Sequence, residues 1–324
     1  MKAIVQDRYG SPDVLEFRDV DRPSPGAGEV LVRVHAAGVD PGVWHLTTGE
    51  PYLLRLLGFG LRRPKQPVRG LDFAGTVEEV GDGVSRVRPG DEVFGVCAGA
   101  FAEYAVAKQD LVAAKPARLS FEQAAAVMIS GGTALQAVRD TGRVQPGQRV
   151  LVIGAAGGVG SFAVQLAKAF GADVTGVCST AKTDLVRTLG ADHVVDYTRE
   201  DFAGRRYDLI VDTAGLRSLS ALRRALTPRG TLVIVGGENG GKWLGGIQRV
   251  LRAALLSPFV GHRLRGLVAT ERGADLDDLR DLIEAGKLTP ALDRTYPLAD
   301  AAAAIGHLHA GRAAGKVVLT TLTT

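Results

Sequence analysis

Between Arg149 and Lys168 the chain reads RVLVIGAAGGVGSFAVQLAK, an apolar β-branched run that breaks into glycines and resumes with helical spacing. Few folds accept such a stretch. Residues 150–153 are apolar without alternation, which predicts a buried parallel strand, and Phe162, Leu166, Ala169 and Phe170 recur at i, i+4, i+7 and i+8 of a helix. With Ala155, Gly157 and Gly160 as its small positions the turn reads A-x-G-x-x-G, and a second apolar strand, 173–177, follows the helix as a right-handed crossover requires. The backbone from Ala155 through Ala156, Gly157, Gly158 and Val159 to Gly160 then suits a pyrophosphate, because the free N–H groups and dipole at a helix start favour an anion. The stretch predicts a dinucleotide site.

The end of the second strand selects the dinucleotide. Sites for NAD place Asp or Glu about 20 residues beyond the glycines, on the ribose hydroxyls. Here the chain has Ser179, Thr180 and Lys182, with no carboxylate to repel a 2′-phosphate, two hydroxyls to donate to it and an ammonium to neutralise it. The expected cofactor is NADPH.

A length of 324 residues predicts two domains, and 46% apolar composition supplies two cores. The net charge of +4 fits an anionic cofactor, and no basic run interleaved with aromatics points to nucleic acid. Only Cys97 and Cys178 are present, far apart in sequence, so no disulfide framework is expected and a reducing, cytoplasmic setting is. The opening MKAIVQ is too short for a signal segment, and no apolar run approaches the roughly 18 residues of a membrane span.

In chain order, residues 2 to about 115 show short β runs separated by turn chemistry such as PSPGAGE and RPGDE. Residues 121–140 read as a helix interrupted at Gly131 and Gly132. Strand and helix then alternate through DVTGV, HVVDY, DLIVDTAG and TLVIVGG, a doubly wound parallel sheet with about five strands visible. The expected division is a β-rich domain over 1–119, a Rossmann domain over 120–258, and a segment over 259–324 returning to the first domain.

This order of elements resembles the medium-chain dehydrogenase/reductase superfamily, in particular its zinc-free quinone oxidoreductase branch. The resemblance rests on GVDPGVWHLTTG (38–49), GLDFAGTVEEVGDGVSRVRPGDEVFG (70–95), GAFAEY (99–104), QPGQRVLVIGAAGGVG (145–160), LGADHVVDY (189–197), DLIVDTAG (208–215) and GKVVL (315–319). It implies an α/β fold, with a GroES-like β-rich catalytic domain beside the Rossmann domain, and a homodimer. Alcohol dehydrogenases of the superfamily hold zinc with a Cys and a His at the positions filled here by Asp40 and Leu71, and two cysteines do not rebuild a four-Cys structural lobe. The expected activity is zinc-independent hydride transfer from NADPH to a quinone or an α,β-unsaturated carbonyl, acceptors electron-poor enough to need no Lewis acid. A zinc-free alcohol or aldehyde reductase and a non-catalytic NADPH-binding protein of the same fold stay open as alternatives. A nominal Y-x-x-x-K at Tyr104 and Lys108 precedes the glycine turn in strand-like sequence, the wrong order for a short-chain reductase.

By the same resemblance Asp40, Trp44, His45 and Tyr52 line the substrate cleft. The branch commonly has Asn at Asp40 and often Tyr at His45, so a proton-relay role does not carry over directly. Asp40 also suits an N-cap before Pro41, and His45 a partly buried polar residue. On the cofactor side the resemblance adds Thr133 beside the nicotinamide, and Tyr197 and Arg312 near the adenosine phosphate. Thr213, Ala214, Val235, Gly236 and Gly237 end parallel strands at the carboxyl edge, where open α/β sheets bind ligands. Two stretches, 52–65 and 242–260, mix apolar residues with Arg and Lys, and Trp243, Ile247, Val250, Leu251 and Leu255 fall on one helical face. They read as interface, or as a rim admitting lipophilic substrates with weak contact to a membrane surface.

Overall fold

The β-branched runs of the first hundred residues become strands whose alternate or continuous burial decides their places. In the computed structural model, which describes residues 1–236 and 241–321, the chain divides into two units, Met1–Gly132 with Glu271–Thr324, and Thr133–Thr270. In the first unit β1 (Lys2–Val5) pairs antiparallel with β2 (Glu16–Asp19). The long β3 (Glu29–Val39), buried along almost its whole length, leads into α1 (Pro41–Thr48). After these come β4 (Asp72–Val80), β5 (Glu92–Val96), β6 (Tyr104–Lys108) and β7 (Val112–Ala114).

Two helices follow, α2 (Phe121–Ala124), opened by a capping box between Ser120 and Gln123, and α3 (Met128–Leu135). The expected break at Gly131 and Gly132 is not there. It falls earlier, where Ala126 and Val127 donate to the carbonyls three residues back, while both glycines stay helical. Tertiary packing overrides glycine's weak helix propensity at these buried positions.

In the second unit β8 (Arg149–Ile153), α4 (Gly158–Ala169), β9 (Asp173–Cys178), α5 (Thr183–Thr188), β10 (His193–Asp196), β11 (Tyr207–Asp212), α6 (Leu219–Arg224) and β12 (Leu226–Ile234) alternate. They are followed by α7 (Gly241–Leu244), α8 (Ile247–Leu256) and β13 (Arg263–Gly266). The sheet runs β10–β9–β8–β11–β12–β13, parallel throughout. Its order reverses between β8 and β11, the switch point at which such sheets bind ligands. The expected boundary at 258 is corrected: β13 is a sixth strand of this sheet, and the unit extends to Thr270. The sequence reads as a strand at HRLRGLVA (262–269) but does not say which sheet it joins, since only Leu264 of the four residues is buried.

The chain then returns to the first unit through α9 (Gly273–Glu284), β14 (Leu292–Pro297), α10 (Ala301–His309) and β15 (Lys316–Thr320). β15 pairs antiparallel with β3, and the sheet runs β14–β15–β3–β4–β5–β7 with β6 also on β3. Among the described residues no helix is long and apolar enough to cross a membrane.

The 242–260 stretch does not keep one apolar face. Two helices replace one, separated at Gly245, whose φ is +54°; Val250, Ala253 and Leu256 pack on the sheet while Leu251 and Leu255 stay exposed.

Candidate active site and nucleotide turn

Strand β8 stops at Ile153 and the chain turns at Gly154, whose φ is +81° and whose added Cβ would meet Thr213 Oγ1 at 2.4 Å. This corrects the assignment of the turn to Ala155: only a residue without Cβ takes that φ against Thr213, and Ala155 and Ala156 are buried beside it. Gly157 is the extended N-cap of α4. The N–H groups of Gly158, Val159 and Gly160 form the first helical turn, where no carbonyl lies one turn back to receive them. A Cβ on Gly160 would stand 2.0 Å from the Gly154 carbonyl oxygen, so helix and turn pack backbone on backbone. These features fit a pyrophosphate: donors with no partner within the helix, a dipole of the right sign, and glycines that put no side chain in the way.

At the next strand end Thr180 Oγ1 donates to Asp196 Oδ2 at 2.5 Å, and Asp196 Oδ1 accepts from the Thr198 N–H and hydroxyl at 3.0 and 2.7 Å. These bonds, that from Thr180 first, hold the Asp196 carboxyl below the usual carboxylate range. The expectation of an edge free of carboxylates with two free hydroxyls is therefore corrected. Parallel pairing sets Asp196 opposite Cys178, and it takes the Thr180 hydroxyl, leaving Ser179 and the half-buried Lys182 beside it. Burial pushes the Cys178 thiol up to about 11, against the pull of nearby Arg187 and Lys182. Tyr197 is half exposed at 49%.

The other expected residues of this edge lie where the sheet predicts. Thr213 Oγ1 donates to the Ile153 carbonyl at 2.8 Å, Ala214 follows it, and the N–H groups of Val235 and Gly236 both donate to the Asp212 carbonyl. Gly237 lies outside the described residues. Thr133, on α3, opens this unit, whereas Arg312 is an exposed residue of the other unit, between α10 and β15. A buried ion pair at the end of β11 was not visible in the sequence: Asp212 carboxylate and Arg249 guanidinium stand 2.5 Å apart.

In the first unit Asp40 occupies the N-cap position of α1, but its side chain makes no cap bond. It is 3% exposed, pairs with the Lys316 ammonium and accepts from Ser130 Oγ at 2.9 Å. Asp72 lies on the other side of the same ammonium, 3.5 Å away, and accepts the Ile129 N–H at 2.9 Å. This corrects the assignment of Asp40 to a substrate-lining surface: its charge is enclosed and neutralised. Asp72, Ser130 and Lys316 were missed, although lone charged residues in the apolar runs DFAG and KVVL were the available signal.

Burial, then the neighbouring Asp40, raises the Asp72 carboxyl well above its usual range. One oxygen of each carboxyl lacks a hydrogen-bond donor, and a proton kept on Asp72 lets it donate to Asp40. Burial depresses the Lys316 ammonium, but the two carboxyls outweigh it and leave it raised.

Trp44 stacks on His309 with ring centroids 3.5 Å apart, and packs on the unit's core. His45 Nδ1 lies 2.8 Å from the Glu50 carbonyl, so a neutral ring donates there and keeps Nε2 as its acceptor. Half-buried Tyr52 has the Arg55 guanidinium 4.8 Å from its ring centre. A zinc ion does not fit these residues. The Asp40 charge is met by an ammonium, and burial, then Asp72, pushes the Cys97 thiol up to about 12, away from the thiolate a metal needs. Among the described residues no group of three His, Cys, Asp or Glu side chains is placed to hold a metal.

The fold has counterparts in known proteins. Residues 26–117 match the alcohol dehydrogenase GroES-like domain, and residues 189–319 match the zinc-binding dehydrogenase family. The chain is 34% identical over 337 residues to 2-methylene-furan-3-one reductase of Solanum lycopersicum, covering 98% of this chain and 79% of that one. The chain belongs to the medium-chain dehydrogenase/reductase superfamily. It superimposes on the quinone oxidoreductase from Coxiella burnetii with a TM-score of 0.87 at 31% identity, over 99% of both chains. A mycobacterial protein solved in complex with NADPH gives a TM-score of 0.83 at 30% identity, over 99% of this chain and 100% of that one. This superfamily member is an NAD(P)H-type oxidoreductase.

Proposed function

We propose that this enzyme takes hydride from NADPH and, without zinc, delivers it to a quinone or an α,β-unsaturated carbonyl. The observation that carries the reading is the pairing of Lys316 with Asp40 at the position where metal-dependent members of the superfamily supply a ligand. With that carboxylate taken by an ammonium, no Lewis acid is assigned to the site, and an acceptor that stabilises the delivered charge by its own conjugation suits it. The names of the tomato and Coxiella relatives point to the same acceptor classes.

Bound NADPH supplies the hydride. The chain's part is to hold it: Ala155 to Gly160 around the pyrophosphate, with Thr213, Ala214, Val235, Gly236 and Gly237 at the strand ends, Thr133 toward the nicotinamide, and Ser179, Lys182, Tyr197 and Arg312 toward the adenosine phosphate. Thr180 belongs to this set through its backbone and through Asp196, which fixes the 179–182 turn. Trp44, His45 and Tyr52 are the residues we assign to the acceptor, with His45 Nε2 as the group able to exchange a proton.

The test is oxidation of NADPH and NADH in the presence of a chelator with a quinone, a medium-chain enone and a saturated ketone. Chelator-resistant NADPH consumption on the first two is expected; turnover on the ketone alone overturns the acceptor class. In the same assay Lys182→Ala should raise KM for NADPH by about tenfold, one charge-assisted contact, and leave KM for NADH unchanged. An equal change for both cofactors removes Lys182 from the 2′-phosphate.

The reading includes a cytoplasmic homodimer. Buried free thiols at Cys97 and Cys178 support the location, and the outer edge of β13, unpaired among the described residues, with Val268 87% exposed beyond it supports the dimer. Weak contact with an anionic membrane surface is supported by exposed Leu56, Leu57, Phe59 and Leu61 next to Arg62, Arg63 and Lys65, in a stretch without Asp or Glu. Sedimentation with anionic vesicles at low salt checks it; a protein that stays in the supernatant has no such contact.

A further inference from the structure

Arg69 is 4% exposed, and the described residues offer its guanidinium no carboxylate. Its Nη1 reaches the Leu46 carbonyl of α1 at 3.4 Å, while Nε and Nη2 are buried with no acceptor. Nε and Nη2 together form the side-on edge of a guanidinium, the fork that matches an oxyanion bidentately.

Two more orphaned atoms lie on residues of the segments that meet at Arg69. Val5 bridges antiparallel to Val68, with the Arg69 N–H on the Ile4 carbonyl and the Gln6 N–H on the Pro67 carbonyl, so Gln6 and Arg69 project from one face of the pair. Gln6 Nε2 donates to the Thr47 carbonyl at 2.6 Å, next along α1 from the carbonyl that Arg69 takes. That bond and one to the Arg8 carbonyl fix the amide, leaving Gln6 Oε1 as a buried acceptor without a donor, and Thr47 Oγ1 is likewise unpaired.

We propose that Arg69, Thr47 and Gln6 form an internal site for one small oxyanion that carries a proton, of the size and chemistry of bicarbonate. Two of its oxygens accept from Nε and Nη2, its O–H donates to Gln6 Oε1, and the Thr47 hydroxyl completes the shell. A water satisfies the hydrogen bonds but leaves the charge. Burial brings Arg69 down to about 10, still cationic at neutral pH, and among the described residues the one titratable group acting on it is Tyr9, whose own pKa is raised. The C-terminal carbonyls of α1 offset about half a charge, so a full anion completes the balance. Because the site joins the segments at Gln6 and Arg69 to α1, its occupant braces the helix that carries Trp44 and His45.

The experiment is thermal unfolding of the full chain at constant ionic strength, with a bulky sulfonate as the background anion and bicarbonate, formate, phosphate or chloride added singly. Bicarbonate should raise Tm saturably, by roughly 5–10 °C at about 100 times its Kd. In Arg69→Met the rise should vanish, and in Arg69→Lys, which keeps charge but not the fork, it should shrink. A wild-type Tm indifferent to all four ions overturns the proposal. So does a high-resolution crystal grown in bicarbonate that shows a water at Nε and Nη2, a readout that does not require the variants to fold.

Discussion

Replacing Lys316 by methionine should destabilise the first unit by about 3–5 kcal/mol, the usual effect of removing one partner from a buried ion pair. In Tm this is roughly 6–20 °C for a unit of this size, read by calorimetry. The reason is the geometry of the cluster. Asp40 and Asp72 are 3% and 1% exposed, and without the ammonium the described residues leave their carboxyls Ser130 and the Ile129 N–H as donors. Loss of less than about 1 kcal/mol would show that the cluster does not carry its charge as described.

Asp72→Asn makes the complementary case. The amide keeps an acceptor for the Ile129 N–H and offers Asp40 a permanent donor, so the change should stay within about 1 kcal/mol at neutral pH. The pH profile separates the two variants. Asp72 holds its proton to higher pH in the folded state than in the unfolded chain, where it releases it above about pH 4. The folded state therefore binds more protons above that pH, and this group's contribution to stability falls as pH rises from there through its raised folded-state pKa. Asp72→Asn should flatten that decline. An unchanged slope would mean that Asp72 is ionised in the folded protein.

Gly160→Ala should cost the second unit roughly 1–3 kcal/mol, the range for overpacking, and weaken NADPH binding at least tenfold. An added Cβ at 2.0 Å from the Gly154 carbonyl oxygen must push α4 off the turn, because the obstacle is backbone and Gly154 is itself held at φ +81° against Thr213. That displacement moves the N–H groups of the first turn, the same donors assigned to the pyrophosphate. Gly306→Ala on α10, where a Cβ meets nothing within 4 Å, is the control and should leave binding unchanged. Fluorescence titration with NADPH reads both. Wild-type affinity in Gly160→Ala would remove the glycine turn from the cofactor site.

Much of this was legible in the sequence because it is local. The strand at 149–153, the glycine turn and the helix after it follow from periodicity and from the backbone needs of a tight turn, which neighbouring residues decide among themselves. What escaped depends on register. Lys316 and Asp40 are 276 residues apart in sequence and meet because Val317 pairs with Val39, while Ala37 pairs with Phe73 and brings Asp72 alongside. Parallel pairing likewise sets Asp196 opposite Cys178 and so commits the Thr180 hydroxyl. A one-residue slip in any of these pairs would turn the same side chains to the other face. The class of fold, most strands and the glycine turn could be read from residue type alone, since burial and backbone freedom are written there. Where each charge is neutralised could not be read there, because in a low-dielectric interior that depends on a partner a few ångströms away rather than on the residue itself.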